Sequence, residues 1–367
     1  MVRNRAETQR LTRARIVGAA RAEFAERGYR AAKIDAIAAR AGLTRGAVYS
    51  NFPSKRALFL TVLGEPPAAY RPPAGPGEDD AAAAQPGEPA IRRALGGFAG
   101  AWIARTAAGV SGAARALERA EEPDLRVPLV QLIRLSSLTL ALAVESLLPA
   151  PEAASPVRRW VRAADVVLAT LHGTARLPEL VEPFDAVTTC EHLATLPLND
   201  WWSAPSPAIT VRPDARDWSP PPAVDLISGE PAGLTGGTVV ILGLHRLGAA
   251  EDAVRALAAG ETLTVVLVTG EPGEYLPLVR LMLGEFAECL RAGFTRPIRS
   301  RLRLICDESG ELAAAAGVTA VSDATESAIL VDRGRVVARA DGHGAPFAVA
   351  VSAARDSAAG LIGPAGS

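Results

Sequence analysis

Two proline-dense stretches, residues 64–89 and 198–222, hold thirteen of the chain's 28 prolines and constrain its architecture more than any other feature. Proline fixes φ and removes a backbone donor, so neither stretch can lie inside a regular helix or central strand. The remaining residues fall into separate foldable pieces, 1–63, 90–197 and 223–351, with a short tail at 352–367. For 367 residues that division agrees with a length prior of roughly 150 residues per domain. Hydrophobic residues at 49% and charged residues at 22% give each piece enough apolar surface to fold.

Charge separates the pieces further. Residues 1–63 carry thirteen Lys or Arg against four acids, a net of +9, while the whole chain is at -1. A neutral protein with one strongly basic end is expected to bind a polyanion through that end. Cys190, Cys289 and Cys306 are too few and too widely spaced for a disulfide framework, which points to a reducing compartment. The polar, basic start MVRNRAETQR is followed by no apolar run. The most apolar long stretch, Val127 to Leu148, contains Gln131, Arg134 and Glu145, which a membrane span would tolerate badly. The expectation is a cytoplasmic protein with no membrane partner.

Helix patterning in the basic segment is specific. Thr12 can cap a helix that places Ile16, Ala20 and Phe24 on one face and stops at Gly28. A second helix sets Ile34, Ile37 and Ala41 at core spacing and ends at Gly42, while Thr44 and Ser54 are natural caps for a third and a fourth. Two short helices joined through a glycine turn on a basic background make a helix-turn-helix unit. Phe24, Ile37, Val48 and Phe52 fit the inner faces, and Tyr49 can pack its ring while its hydroxyl reaches out.

The run from Ile37 through Gly42-Leu43-Thr44-Arg45-Gly46-Ala47-Val48-Tyr49-Ser50-Asn51-Phe52-Pro53-Ser54-Lys55 to Leu58 resembles the DNA-binding domain of tetracycline-repressor (TetR) type regulators. That resemblance implies that the third helix enters the major groove of double-stranded DNA. It implies that Thr44, Arg45, Gly46 and Ala47 approach base edges, and that Tyr49, Asn51 and Lys55 hold phosphates. Arg45 suits bidentate contact with guanine. Lys33 stands where the family usually has a capping threonine, and the 64–89 linker is longer than the family's usual connection.

Residues 90–197 read as helical, with Ile91, Leu95, Phe98 and Trp102 on one amphipathic face. Helices are expected from Pro156 through Leu171 and from an Asp185 cap onward. By order and length this piece resembles the family's ligand-binding and dimerisation domain, which implies a small-molecule effector, a homodimer and a palindromic operator. Trp102 and His172 are the candidate ligand-lining residues. Cys190 and His192 lie two apart on different helix faces, so no metal site is expected there. In 198–222, Trp201, Trp202 and Trp218 suggest a strap packed over a neighbouring surface.

From residue 223 the pattern alternates between β-branched runs and helices. Strands are expected at 238–242, 263–268, 302–306, 328–331 and 335–338, the last two joined by Asp332-Arg333-Gly334. This order, with Pro222 to Gly229 leading in, resembles a thioredoxin-like or peroxiredoxin-like α/β domain. The family's chemistry is missing, because Ala249 and Asp252 stand where the cysteines would be, and Glu326 or Ser327 replaces the proline before the hairpin. Gly229, Gly233, Gly236 and Gly237 form no phosphate loop, and Ser228, His245 and Asp252 have no nucleophile motif around them. The expectation is a multidomain regulator, all-α then α/β, that is not an enzyme and uses no cofactor. Its rivals are a thiol or peroxide sensor using Cys289 or Cys306, and a protein-docking module tethered to DNA.

Overall fold

The computed structural model describes residues 2–65, 70, 86–119, 122–148, 159–177, 182–193, 195–196, 198, 200–205, 209–258, 261–294 and 301–361. Most of the 64–89 stretch, the expected helix start at Pro156 and the end of the 352–367 tail lie outside these residues.

The basic segment forms four helices, α1 (Val2–Ala31), α2 (Ile34–Ala41), α3 (Arg45–Tyr49) and α4 (Lys55–Gly64). α1 begins well before Thr12, which is an interior residue and not the expected cap. The residues ahead of Thr12 are polar, so they extend the helix without the apolar period that marks one in a sequence. Gly28 interrupts α1 at φ 71°, a conformation that glycine adopts without steric cost. Ile16, Ala20, Phe24, Ile37, Val48, Phe52 and Leu58 close a separate small core beneath the head.

Among the described residues, five helices follow: α5 (Glu88–Ala107), α6 (Gly112–Leu117), α7 (Pro123–Glu145), α8 (Val161–Arg176) and α9 (Pro183–Leu193). Asp185 sits in the first turn of α9 instead of capping it, because the helix already starts at Pro183, whose fixed φ suits a first turn. By length and composition α7 could cross a membrane, yet here it is mostly buried among its neighbours.

The C-terminal part contains a six-stranded mixed sheet in the order β1-β6-β5-β2-β3-β4. Its strands are β1 (Arg212–Pro213), β2 (Gly237–Gly243), β3 (Leu263–Val268), β4 (Leu302–Cys306), β5 (Glu326–Asp332) and β6 (Arg335–Asp341). β2, β3 and β4 run parallel, with Val240 beside Val265 and Val265 beside Leu304. β5 is antiparallel to β2, and β6 is antiparallel to β5. Arg333 at φ 47° and Gly334 at φ 76° make the tight turn between β5 and β6. The accompanying helices are α10 (Ala249–Ala256), α11 (Pro272–Gly293), α12 (Glu311–Ala315) and α13 (Ala345–Leu361). This arrangement agrees with the α/β class expected for the segment.

Strand alternation distributes the sheet between two cores. Val239, Ile241, Val266, Val268 and Ile305 face Leu312 and Trp218. Val240, Leu242, Val265, Leu267 and Leu304 face the other way and join one continuous core with α5, α7 and α8. The helical and α/β segments are therefore fused through shared packing. α11 is the common element: it touches α4, α5, α6 and α7.

Two features of α11 fix this junction. The Glu285 carboxylate accepts from the Gly112 and Ala113 amides at 2.7 and 3.1 Å, and from Arg105 Nη2 at 3.1 Å. It thus fills the N-terminus of α6, where orphan amides and the helix dipole favour an anion. Near the end of α11, Gly293 crosses α5 at Gly97 so closely that a Cβ on Gly97 would lie 3.0 Å from the Gly293 Cα.

Two tryptophans of residues 198–222 are held by hydrogen bonds. Trp218 Nε1 donates to the Leu234 carbonyl at 2.6 Å, and Trp202 Nε1 donates to Asp252 at 2.9 Å. Trp201 differs, with 71% of its surface exposed. The strap also contributes β1, which pairs with β6 and covers part of that edge.

Candidate nucleic-acid interface

The turn before α3 is built from local signals. Gly42 adopts φ 64°, ψ 39° and ends α2, while the Leu43 amide donates to the Ala38 carbonyl at 2.9 Å. Arg15 Nη2 donates to the Ala41 carbonyl, so α1 ties down the same turn. Thr44 Oγ1 accepts from the Ala47 amide at 3.2 Å and starts α3. Ser54 Oγ does the same for α4, accepting from Ala57 at 3.0 Å. Lys33 heads α2 without a side-chain cap, as its chemistry requires.

α3 has five residues and is too short to stand alone, so its position depends on buried Val48 and on the segment after it. Arg13 Nη1 donates to the Asn51 carbonyl at 2.8 Å, and its guanidinium lies 4.1 Å from the centre of the Phe52 ring. Sequence patterning missed this role of Arg13, since α1 and Asn51 are far apart in the chain.

Thr44, Arg45, Gly46 and Tyr49 are exposed together on α3, and Ala47 is half-buried beside them. Arg45 Nη1 pairs with Asp35 at 3.3 Å, and its guanidinium stands 5.5 Å from the Tyr49 ring centre. Both members of the pair are solvent-exposed, so breaking it costs little and leaves Arg45 available. Gly46 is informative because a Cβ there would meet only Thr44 Oγ1, at 3.9 Å. The fold itself does not need glycine at this position; its small size leaves room for a surface that approaches from outside.

Asn51 and Lys55, expected at phosphates, also hold groups within the head. Asn51 Nδ2 donates to the Ala47 carbonyl at 2.9 Å and caps the end of α3. Lys55 Nζ donates to the Ala32 and Arg30 carbonyls at 2.9 and 3.3 Å and lies 4.6 Å from the Tyr29 ring centre. Burial, and secondarily Arg119, push the Lys55 ammonium below its ordinary pKa. The physical reason is the break at Gly28, which turns the last carbonyls of α1 towards α4 and gives a cation something to cap.

The head is braced from α11. Ser54 Oγ donates to Glu274 at 2.7 Å, and Arg56 Nη2 pairs with the same carboxylate at 3.3 Å.

Trp102 and His172 come together in the helical region with ring centres 4.9 Å apart, edge to face. Trp102 Nε1 and His172 Nδ1 are buried with no hydrogen-bond partner among the described residues. Burial pushes the His172 pKa down to about 4. In the unfolded chain a histidine titrates near about 6.5. The unfolded state therefore takes up the proton first as pH falls, and stability drops between those two values. Urea unfolding is expected to show His172 alone removing about 2 kcal/mol between pH 7 and pH 5. His172→Gln should flatten that part of the dependence, and an unchanged pH profile would contradict the burial.

In the α/β segment, Ala249 and Asp252 occupy the first turn of α10. Burial raises the pKa of Asp252, although it accepts a hydrogen bond from Trp202. Glu326 begins β5, and its carboxylate accepts from Arg246 Nε and the Gly344 amide, both at 2.6 Å. Burial pushes the Cys190, Cys289 and Cys306 thiols each up to about 12, which leaves them protonated at neutral pH.

The head is thus a basic helix-turn-helix domain with the small, capped second helix of a DNA reader. Residues 16–62 match the family of bacterial regulatory proteins, tetR family. That segment is a TetR-type DNA-binding domain, and it supports a DNA-binding transcriptional regulator of TetR type. No curated protein matches the chain.

Proposed function

We propose that the chain is a TetR-type repressor that binds a palindromic operator as a homodimer and is released by a small molecule. The observation that carries this reading is the exposed set Thr44, Arg45, Gly46 and Tyr49 on a capped helix of a basic head. A single reading helix covers about half of a typical operator, so two heads must be held together. The helical region supports this: Val166, Ala169, Gly173 and Leu177 are exposed at helical spacing along α8, and Phe184 on α9 is 78% exposed. The unpartnered nitrogens of Trp102 and His172 support a polar effector in the helical core.

The strand order of the sheet supports a thioredoxin-like reading of residues 223–351, used for assembly and not for redox chemistry or catalysis. A thiol-sensing role finds no support, since both Cys289 and Cys306 are held as thiols by burial. The cytoplasm is the compartment that suits this reading.

Gel retention of duplex fragments from the source genome tests it. Arg45→Ala is expected to lower specific affinity by about 1–3 kcal/mol and to relax base preference. Tyr49→Ala should weaken specific and non-specific binding alike. Retention of no duplex at low salt, or an equal loss on specific and random DNA for Arg45→Ala, would contradict the assignment.

A further inference from the structure

A cavity of about 820 Å³ opens at the joint between the head and the helical region. Its walls include Phe24, Arg30 and Tyr29 from α1, Phe59 from α4, and Arg115 with Arg119 from and just after α6. The size lies within the range of small-molecule sites. We propose that this cavity binds a planar aromatic anion, such as an aryl carboxylate.

The apolar wall is a cluster of three rings. Phe24 meets Phe59 edge-on at 5.1 Å, and Tyr29 lies 4.7 Å from Phe59 and 6.0 Å from Phe24. Such a cluster accepts a further flat ring by offset or edge contact.

The charged part of the lining is mostly cationic. Arg27, Arg30, Arg115 and Arg119 line the cavity, and Lys55 stands behind Tyr29. Three carboxylates face them: Glu23 pairs with Arg27 at 3.3 Å, Glu122 pairs with Arg119, and Glu118 lines the cavity. Five cations against three anions leave an excess of positive charge. The Arg30 guanidinium has no ion pair among the described residues, and Arg119 Nε is buried with no hydrogen-bond partner among them. The Arg119 guanidinium lies 3.6 Å from the Tyr29 ring centre, so a donor left unsatisfied sits directly above the aromatic wall. A carboxylate attached to a ring fits both needs, with the ring on the aromatic wall and the oxygens on the guanidinium groups.

This site is separate from Trp102 and His172 in the helical core, and it joins different elements. An occupant would touch α1 and α4 on one side and the end of α6 on the other, bridging the head to the helical region. Its regulatory meaning rests on the proposed function above; the binding itself does not.

The test is calorimetric titration of the full chain, without DNA, using 1-naphthoate and its uncharged analogue 1-naphthalenemethanol. Naphthoate is expected to bind, with at least a tenfold weaker interaction for the alcohol and for Arg30→Gln. Arg30 is exposed, so its replacement leaves the fold intact; Tyr29→Leu should also weaken naphthoate. Absence of naphthoate binding, equal affinity for the alcohol, or unchanged affinity in Arg30→Gln would overturn the proposal. Operator retention is read separately. A chain that takes up naphthoate as described but retains no duplex keeps this site and loses the regulator reading; the reverse pattern loses the site alone.

Discussion

Glu285→Ala is expected to lower the thermal midpoint of the chain by about 4–6 °C. Arg105 and Glu285 are both nearly fully buried, with side-chain exposures of 4% and 5%. Removing Glu285 leaves buried Arg105 with only the partly exposed Glu288 and leaves two α6 amides unsatisfied, together a cost of about 3–5 kcal/mol. Unfolding 367 residues carries an entropy of about 0.8 kcal/mol/K, and the shift follows by division. The loss is larger than for an ordinary ion pair because the same carboxylate also satisfies two amides of α6. Glu288→Ala is the internal comparison: Glu288 also pairs with Arg105, but it is 32% exposed and holds no backbone group among the described residues. Differential scanning calorimetry of the two variants should separate them clearly. Equal midpoints would show that Glu285 does not hold α6 to α11.

The second large effect is expected at the helix crossing. A methyl group on Gly293 would fall on the Ala94 carbonyl and 2.7 Å from the Phe98 amide nitrogen, both of them backbone atoms that cannot swing aside. Gly293→Ala must therefore push α5 and α11 apart, and overpacking of this kind costs about 1–3 kcal/mol or more. Gly100 lies on the same helix α5, and a Cβ there meets nothing within 4 Å. Gly100→Ala should stabilise by up to about 1 kcal/mol through helix propensity alone. Opposite shifts of the urea midpoint in these two variants would establish the crossing; parallel shifts would refute it.

The sequence disclosed the head because its signals are local. Thr44, Ser54 and Gly42 act on groups within a few residues, so caps and turn could be read directly. The strands were legible for a related reason, since Val239–Leu242 and Leu263–Val268 are β-branched or aliphatic and buried on both faces. The internal partners of Lys55, the Ala32 and Arg30 carbonyls and the Tyr29 ring, were not legible because they depend on how α1 ends at Gly28. α11 was hidden more deeply. Leu278, Met282, Phe286 and Leu290 show that it is buried, but periodicity cannot say that α4, α5 and α6 do the burying. Glu285 looks like a surface charge in sequence, and only the distant Gly112 and Ala113 amides give it an interior purpose. Trp201 and Trp202 are neighbours with opposite fates, which composition alone cannot distinguish.

Because α11 serves as a wall for both the sheet and the helices around α4, the C-terminal half is not an interchangeable cartridge. A shortened protein ending near residue 222 would strip the backing from Leu60, Leu63 and Phe98 and expose them to water. Grafting this head onto another body therefore means bringing a substitute for one rod, and any selection acting on the far end of the gene is felt at the DNA-reading end through it.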